Sequence, residues 1–179
     1  YIDWDVTSGL TVGNSIKIGE FTIQDGGDDL TDTDLFPTIL TDLGFDVANS
    51  SYFAALALID GVTNVSEVTV VSDAIVFNSI NSGNGITAPD NGSKTFDVHA
   101  TFKNTVVDNE QIQLTINSAI PDGLLGSTFE VSDAGGSQTS VTDDANRIEV
   151  NVSKLIFSQQ PSDVNLSEVM TPAVIVQGV

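Results

Sequence analysis

Five aspartates, Asp25, Asp28, Asp29, Asp32 and Asp34, fall within ten residues of one another between two apolar stretches. Clustered carboxylate oxygens on a glycine-containing loop are the donor set that a hard cation such as Ca²⁺ takes. Without a cation, so many like charges repel one another and stay in water. No Glu follows at the place where the helix-loop-helix calcium motif puts its bidentate ligand, so a solvated acidic loop competes with a calcium site. Asp143 and Asp144 form a second acidic turn that could join such a site in space.

Other chemistry is sparse. His99 is the single histidine, and one imidazole supports neither a metal triad nor a Ser-His-Asp arrangement without partners that no motif announces. Its phase on an alternating strand makes it a solvent-facing or sheet-packing residue. Trp4 and Tyr52 are candidates for an aromatic sugar platform, but their separation in sequence suits core or boundary packing as well. G-x-S-x-G, H-E-x-x-H and a phosphate-cradling glycine loop followed by Lys are all absent. A carboxylate pair for glycoside hydrolysis would have to be chosen among 25 acids with no motif to favour one. The expectation is a protein that is not an enzyme, with calcium as its one candidate cofactor.

The elements that would position these residues read as β throughout. Phe96, Val98, Ala100 and Phe102 alternate with Asp97, His99, Thr101 and Lys103, and Ile112, Leu114 and Ile116 alternate again beyond a polar turn. A period of two puts the apolar groups on one face, so Ser93 to Ile116 reads as a hairpin whose apolar face needs a partner sheet. Phe45, Phe96, Phe102 and Leu114 are expected to meet in the core. Pro89-Asp90-Asn91-Gly92 supplies turn chemistry before it. Further strands are expected at Ile16 to Ile23, with a bulge at Gly19 and Glu20, and at Thr38 to Val47, Tyr52 to Ile59, Ser66 to Val71 and Ala74 to Ile80. Phe53 to Ile59 is alanine-rich enough to suit a helix, yet its neighbours are all β, which favours a strand. Short strands also fit Ile2 to Val6, Phe129 to Val131 and Ile148 to Val152. Together these elements define an all-β fold, an antiparallel β-sandwich of Ig-like or Greek-key type.

Composition narrows the partners. Lys and Arg number 5 against 25 Asp and Glu, a formal charge of −20, which repels phosphate backbones and anionic lipid. Nucleic acid is excluded as a partner, and no apolar run is long enough for membrane insertion by a helix. With no Cys there are no disulfides and no thiolate chemistry. Asn-x-Ser/Thr acceptors at Asn49, Asn64, Asn91, Asn151 and Asn165 matter only in a glycosylating host.

Three parts are expected along the chain: residues 1–11 as the end of a preceding module or a linker, 12–153 as the sandwich, and 154–179 as the first strands of a following, truncated module. The segments Ala88 to Ile116, Pro37 to Val47, Phe53 to Gly61 and FSQQPSDVNLSEVMTPAVIV from Phe157 to Val176 resemble the tandem β-sandwich modules of giant surface adhesins in gliding Bacteroidota, the SprB type. That resemblance implies export to the bacterial cell surface, a filament of repeated domains and attachment to a substratum during gliding. The expected partners are neighbouring modules of the same chain and an extracellular surface or polysaccharide. The alternative is a carbohydrate- or ligand-binding β-sandwich accessory of a secreted protein.

Overall fold

The computed structural model describes residues 5–26, 33, 35–80, 86–122, 147–148 and 155–178. They fall into two compact units, Ile2–Ile148 and a second that contains Glu149–Val179. The larger is an antiparallel β-sandwich, and no α-helix occurs among the described residues. Its strands are β1 (Ile16–Gln24), β2 (Thr38–Ala48), β3 (Phe53–Asp60), β4 (Thr63–Thr69), β5 (Ala74–Phe77), β6 (Ile86–Ala88), β7 (Ser93–Phe102) and β8 (Gln113–Pro121).

One sheet has the order β1-β7-β3-β4. In the other, β2 is central, with β5 and β6 on one side and β8 on the other. Phe21, Leu56, Leu58, Phe96 and Val98 from the first sheet meet Leu40, Leu43, Phe45, Phe77 and Ile86 from the second in one core. Aromatic rings join the two layers: Phe45 meets Phe21 edge-on at 6.5 Å, while Phe21 stacks on Phe96 at 5.6 Å. Offset and edge-to-face pairs at such separations add to the burial of their area.

Several sequence expectations are realised locally. Phe53 to Ile59 is a strand, and its unbroken apolar run follows from burial on both faces. Leu56 and Leu58 point into the sandwich, whereas Ala55, Ala57 and Ile59 belong to a second apolar cluster on the outer face. The register between β1 and β7 slips between Lys17 and Gly19, a bulge just ahead of the expected position at Gly19 and Glu20. Gly61, at φ +62, makes the β3–β4 turn in a conformation that a side chain would strain. The expected strands at Ile2 to Val6, Phe129 to Val131 and Ile148 to Val152 lie largely outside the described residues.

The 93–116 stretch differs from expectation. Its two arms are not a hairpin: β7 lies between β1 and β3 in one sheet, and β8 pairs with β2 in the other. Both edges of β7 are already occupied, so β8 has no edge there to join. Alternation fixes only which way side chains point, and both arms satisfy it by facing one core from opposite sheets. Phe45 and Phe96 are buried, while Phe102 and Leu114 pack against the core partly exposed.

The smaller unit contains the antiparallel pair β9 (Leu155–Gln159) and β10 (Ile175–Gly178). Leu155, Phe157, Leu166, Val169 and Ile175 in this unit are exposed. Two strands alone are marginal in water.

Candidate functional site

Of the five clustered aspartates, Asp25 is described and Asp28, Asp29, Asp32 and Asp34 lie outside the described residues, as do Asp143, Asp144 and Trp4. Asp25 is 3% exposed, just beyond the end of β1. Its Oδ1 accepts the Thr38 hydroxyl at 2.5 Å and its Oδ2 accepts the Asn91 backbone N–H at 2.8 Å. Its own N–H donates to the Gly92 carbonyl at 2.8 Å. Asp25 thus ties the 89–92 turn to the start of β2, and both carboxylate oxygens have donors, as a buried carboxylate requires. Among the described residues no three His, Cys, Asp or Glu side chains converge on a point that could hold a metal.

The outer face of the first sheet carries the densest polar chemistry. Register places Lys17, His99, Ala57 and Glu67 in one row across β1, β7, β3 and β4. Over this row runs the segment 5–15, a strap without regular structure. Leu10, 1% exposed, fills the shallow space that Ala55 and Ala57 leave beside Ile59, and Val6 packs alongside.

Polar side chains of the sheet hold the strap. Glu67 accepts the N–H groups of Gly9 at 2.9 Å and Leu10 at 3.0 Å, while Asn64 donates to the Leu10 carbonyl at 2.9 Å. The Thr101 hydroxyl donates to the Val6 carbonyl at 2.6 Å. Ser15 Oγ lies 2.9 Å from His99 Nδ1 and donates its one hydrogen to the Thr11 carbonyl at 2.5 Å. By that count of hydrogens, the His99 Nδ1–H donates to Ser15.

His99 and Thr101 are therefore buried, on the phase that alternation alone marks as polar. Burial pushes the His99 imidazole below the ordinary histidine value; Asp97 opposes this, Lys17 reinforces it, and an interaction with the Ser15 backbone opposes it. Burial raises the Glu67 carboxyl, but the donors from Gly9, Leu10 and Asn64 outweigh it and hold the group below the ordinary carboxylate value. Lys17, which bonds Asp97 at 2.7 Å and Glu20 at 2.8 Å, is held above the usual lysine value by them. Glu67 and Ser15 carry no local motif: they act on partners more than fifty positions away in the chain.

A polar cleft of about 500 Å³ lies where β2 meets β8. Asp46, Asn49, Ser50, Asp73, Gln113 and Thr115 contribute to its lining. Asp73 organises it, its carbonyl accepting the Val47 N–H at 2.6 Å and its Oδ1 the Ser50 hydroxyl at 2.6 Å. Asn49 adopts the left-handed conformation at φ 58, and its amide donates to the Gln111 carbonyl at 2.6 Å. Tyr52 stands beside this turn without lining the cleft.

Compared with models of known protein families and with curated proteins, the chain matches none.

Proposed function

We propose that this chain is a structural and adhesive repeat of a large bacterial cell-surface adhesin filament, serving surface attachment and gliding. The observation that carries the reading is the succession of two β units in one chain, a sandwich with a packed core followed by a strand pair that leaves apolar side chains exposed. Modules strung in tandem have this organisation, and a net charge of −20 keeps crowded copies apart in water. The resemblance of its residue patterns to SprB-type adhesins supports the same reading, with neighbouring modules and an extracellular surface or polysaccharide as partners. The test is where the protein lies and what it touches. Antibodies against this chain should label intact cells and reduce their attachment to glass or polysaccharide-coated surfaces. Labelling that requires permeabilised cells would overturn the proposal.

A second reading, a carbohydrate-binding accessory module, is favoured by the polar cleft alone. Carboxylate, amide and hydroxyl groups are the donors and acceptors that sugar hydroxyls use. Calorimetric titration with a panel of soluble polysaccharides distinguishes the two: saturable binding lost in Gln113→Ala supports the module, and no heat from any sugar removes it.

A further inference from the structure

We infer that the strap over residues 5–15 is an acid-released latch on the outer face of the first sheet. Two of its attachment points rest on titratable side chains in one cross-strand row, Glu67 and His99, separated by Ala57. Glu67 offers the acceptors for two consecutive strap N–H groups, Gly9 and Leu10, and it can do so with both oxygens only as a carboxylate. Once protonated, one oxygen carries a hydrogen that faces donors, and the arrangement no longer closes. His99 lies under the strap at 5% exposure, with Nδ1–H already committed to Ser15. A second proton arrives at Nε2 and creates a buried cation, in the same row as the Lys17 ammonium.

Each element packed around His99 brings its own charges. β1 brings Lys17 and Glu20, β7 brings Asp97, β4 brings Glu67, β3 brings no ionisable side chain to this row, and the strap brings Asp5. Asp97 favours the imidazolium, but it is engaged with Lys17 at 2.7 Å. The sign is the same at both anchors. Glu67 and His99 each bind a proton more weakly with the strap closed than in water, so closure is fully supported above the ordinary histidine value of about 6.5. It weakens as pH falls through the histidine range and then through the carboxylate range. The hydrophobic core that Leu56 and Leu58 enter lies on the opposite face of the same sheet, away from both anchors.

The experiment is amide hydrogen exchange on the full 179-residue chain from pH 7 to pH 4, corrected for intrinsic rates, comparing Gly9 and Leu10 with Leu56 and Leu58 of β3. Protection at Gly9 and Leu10 should fall as pH drops through the histidine and carboxylate ranges, while Leu56 and Leu58 keep theirs. Glu67→Gln, which retains one acceptor oxygen, should lower protection at Gly9 and Leu10 already at pH 7 and flatten the part of the fall below pH 5. Unchanged protection of Gly9 and Leu10 across the range overturns the latch. So does a loss that appears at Gly9, Leu10, Leu56 and Leu58 together, which is global unfolding.

Discussion

Gly44 shows how closely single positions in this sandwich are specified. β2 and β8 slip register between Gly44 and Phe45, with Asn117 as the additional residue on β8. A Cβ on residue 44 would collide with Ser118 Oγ and Asn117 Oδ1, and Asn117 is held by the hydrogen bond its side-chain Nδ2 donates to Asp46 Oδ1 at 2.8 Å. Gly44→Ala should accordingly destabilise the domain by about 1–3 kcal/mol, as overpacking does. Gly19→Ala, at a bulge with open space around it, should change stability by less than about 0.5 kcal/mol. Urea unfolding of the pair checks this, and equal midpoints would refute the account of Gly44. At the same scale, Phe96 is buried and stacked whereas Leu114 is partly exposed. Phe96→Ala should cost about 3–5 kcal/mol and Leu114→Ala clearly less, by the same measurement.

Among the elements, strand identity was legible and strand partnership was not. Alternation at Phe96 to Phe102 and the turn residues at Asp60-Gly61 are local signals, and β3, β4 and β7 stand where those signals put them. Whether two strands adjacent in sequence share a sheet depends on which edges are free, and residues 93–116 hold no information on that. The burial of His99 depends on a segment more than eighty residues away, so its polar phase pointed correctly outward but could not choose between water and packing. The Asp25 site had a partial signal: the Pro89-Asp90-Asn91-Gly92 turn was readable, but its demand for a buried acceptor was not. The edges of the first sheet also make sense only once the topology is known. β1 carries Lys17, Glu20 and a bulge, devices that discourage pairing with a stray strand. For the β9–β10 pair, a chain ended at Ser153 should keep the urea midpoint of the full chain, and a large loss would show that the pair completes the sandwich.

For the molecule as a whole, charge is the dominant variable. With a formal charge of −20 on 179 residues, self-repulsion opposes compaction, and it fades as the Debye length shortens to about 8 Å at physiological ionic strength. Sodium chloride should raise the melting temperature modestly and without saturating at low concentration. A bound ion behaves differently, adding about 2.7 kcal/mol at a hundredfold excess over its dissociation constant. Melting at matched ionic strength with and without millimolar calcium, on the wild type and on a variant with Asp28, Asp29 and Asp32 changed to Asn, separates the two. A calcium-specific rise that the variant loses would place an ion in the acidic loop, and identical melting would leave it a solvated loop.

The strap also has a mechanical meaning. Its fastenings are isolated hydrogen bonds, accepted by Glu67 and donated by Asn64 and Thr101, rather than a ladder, so tension applied ahead of Val6 loads them one after another, before the β1–β7 ladder. The eleven residues 5–15 would then extend by at most roughly 40 Å, lengthening the chain under load while the sandwich stays folded.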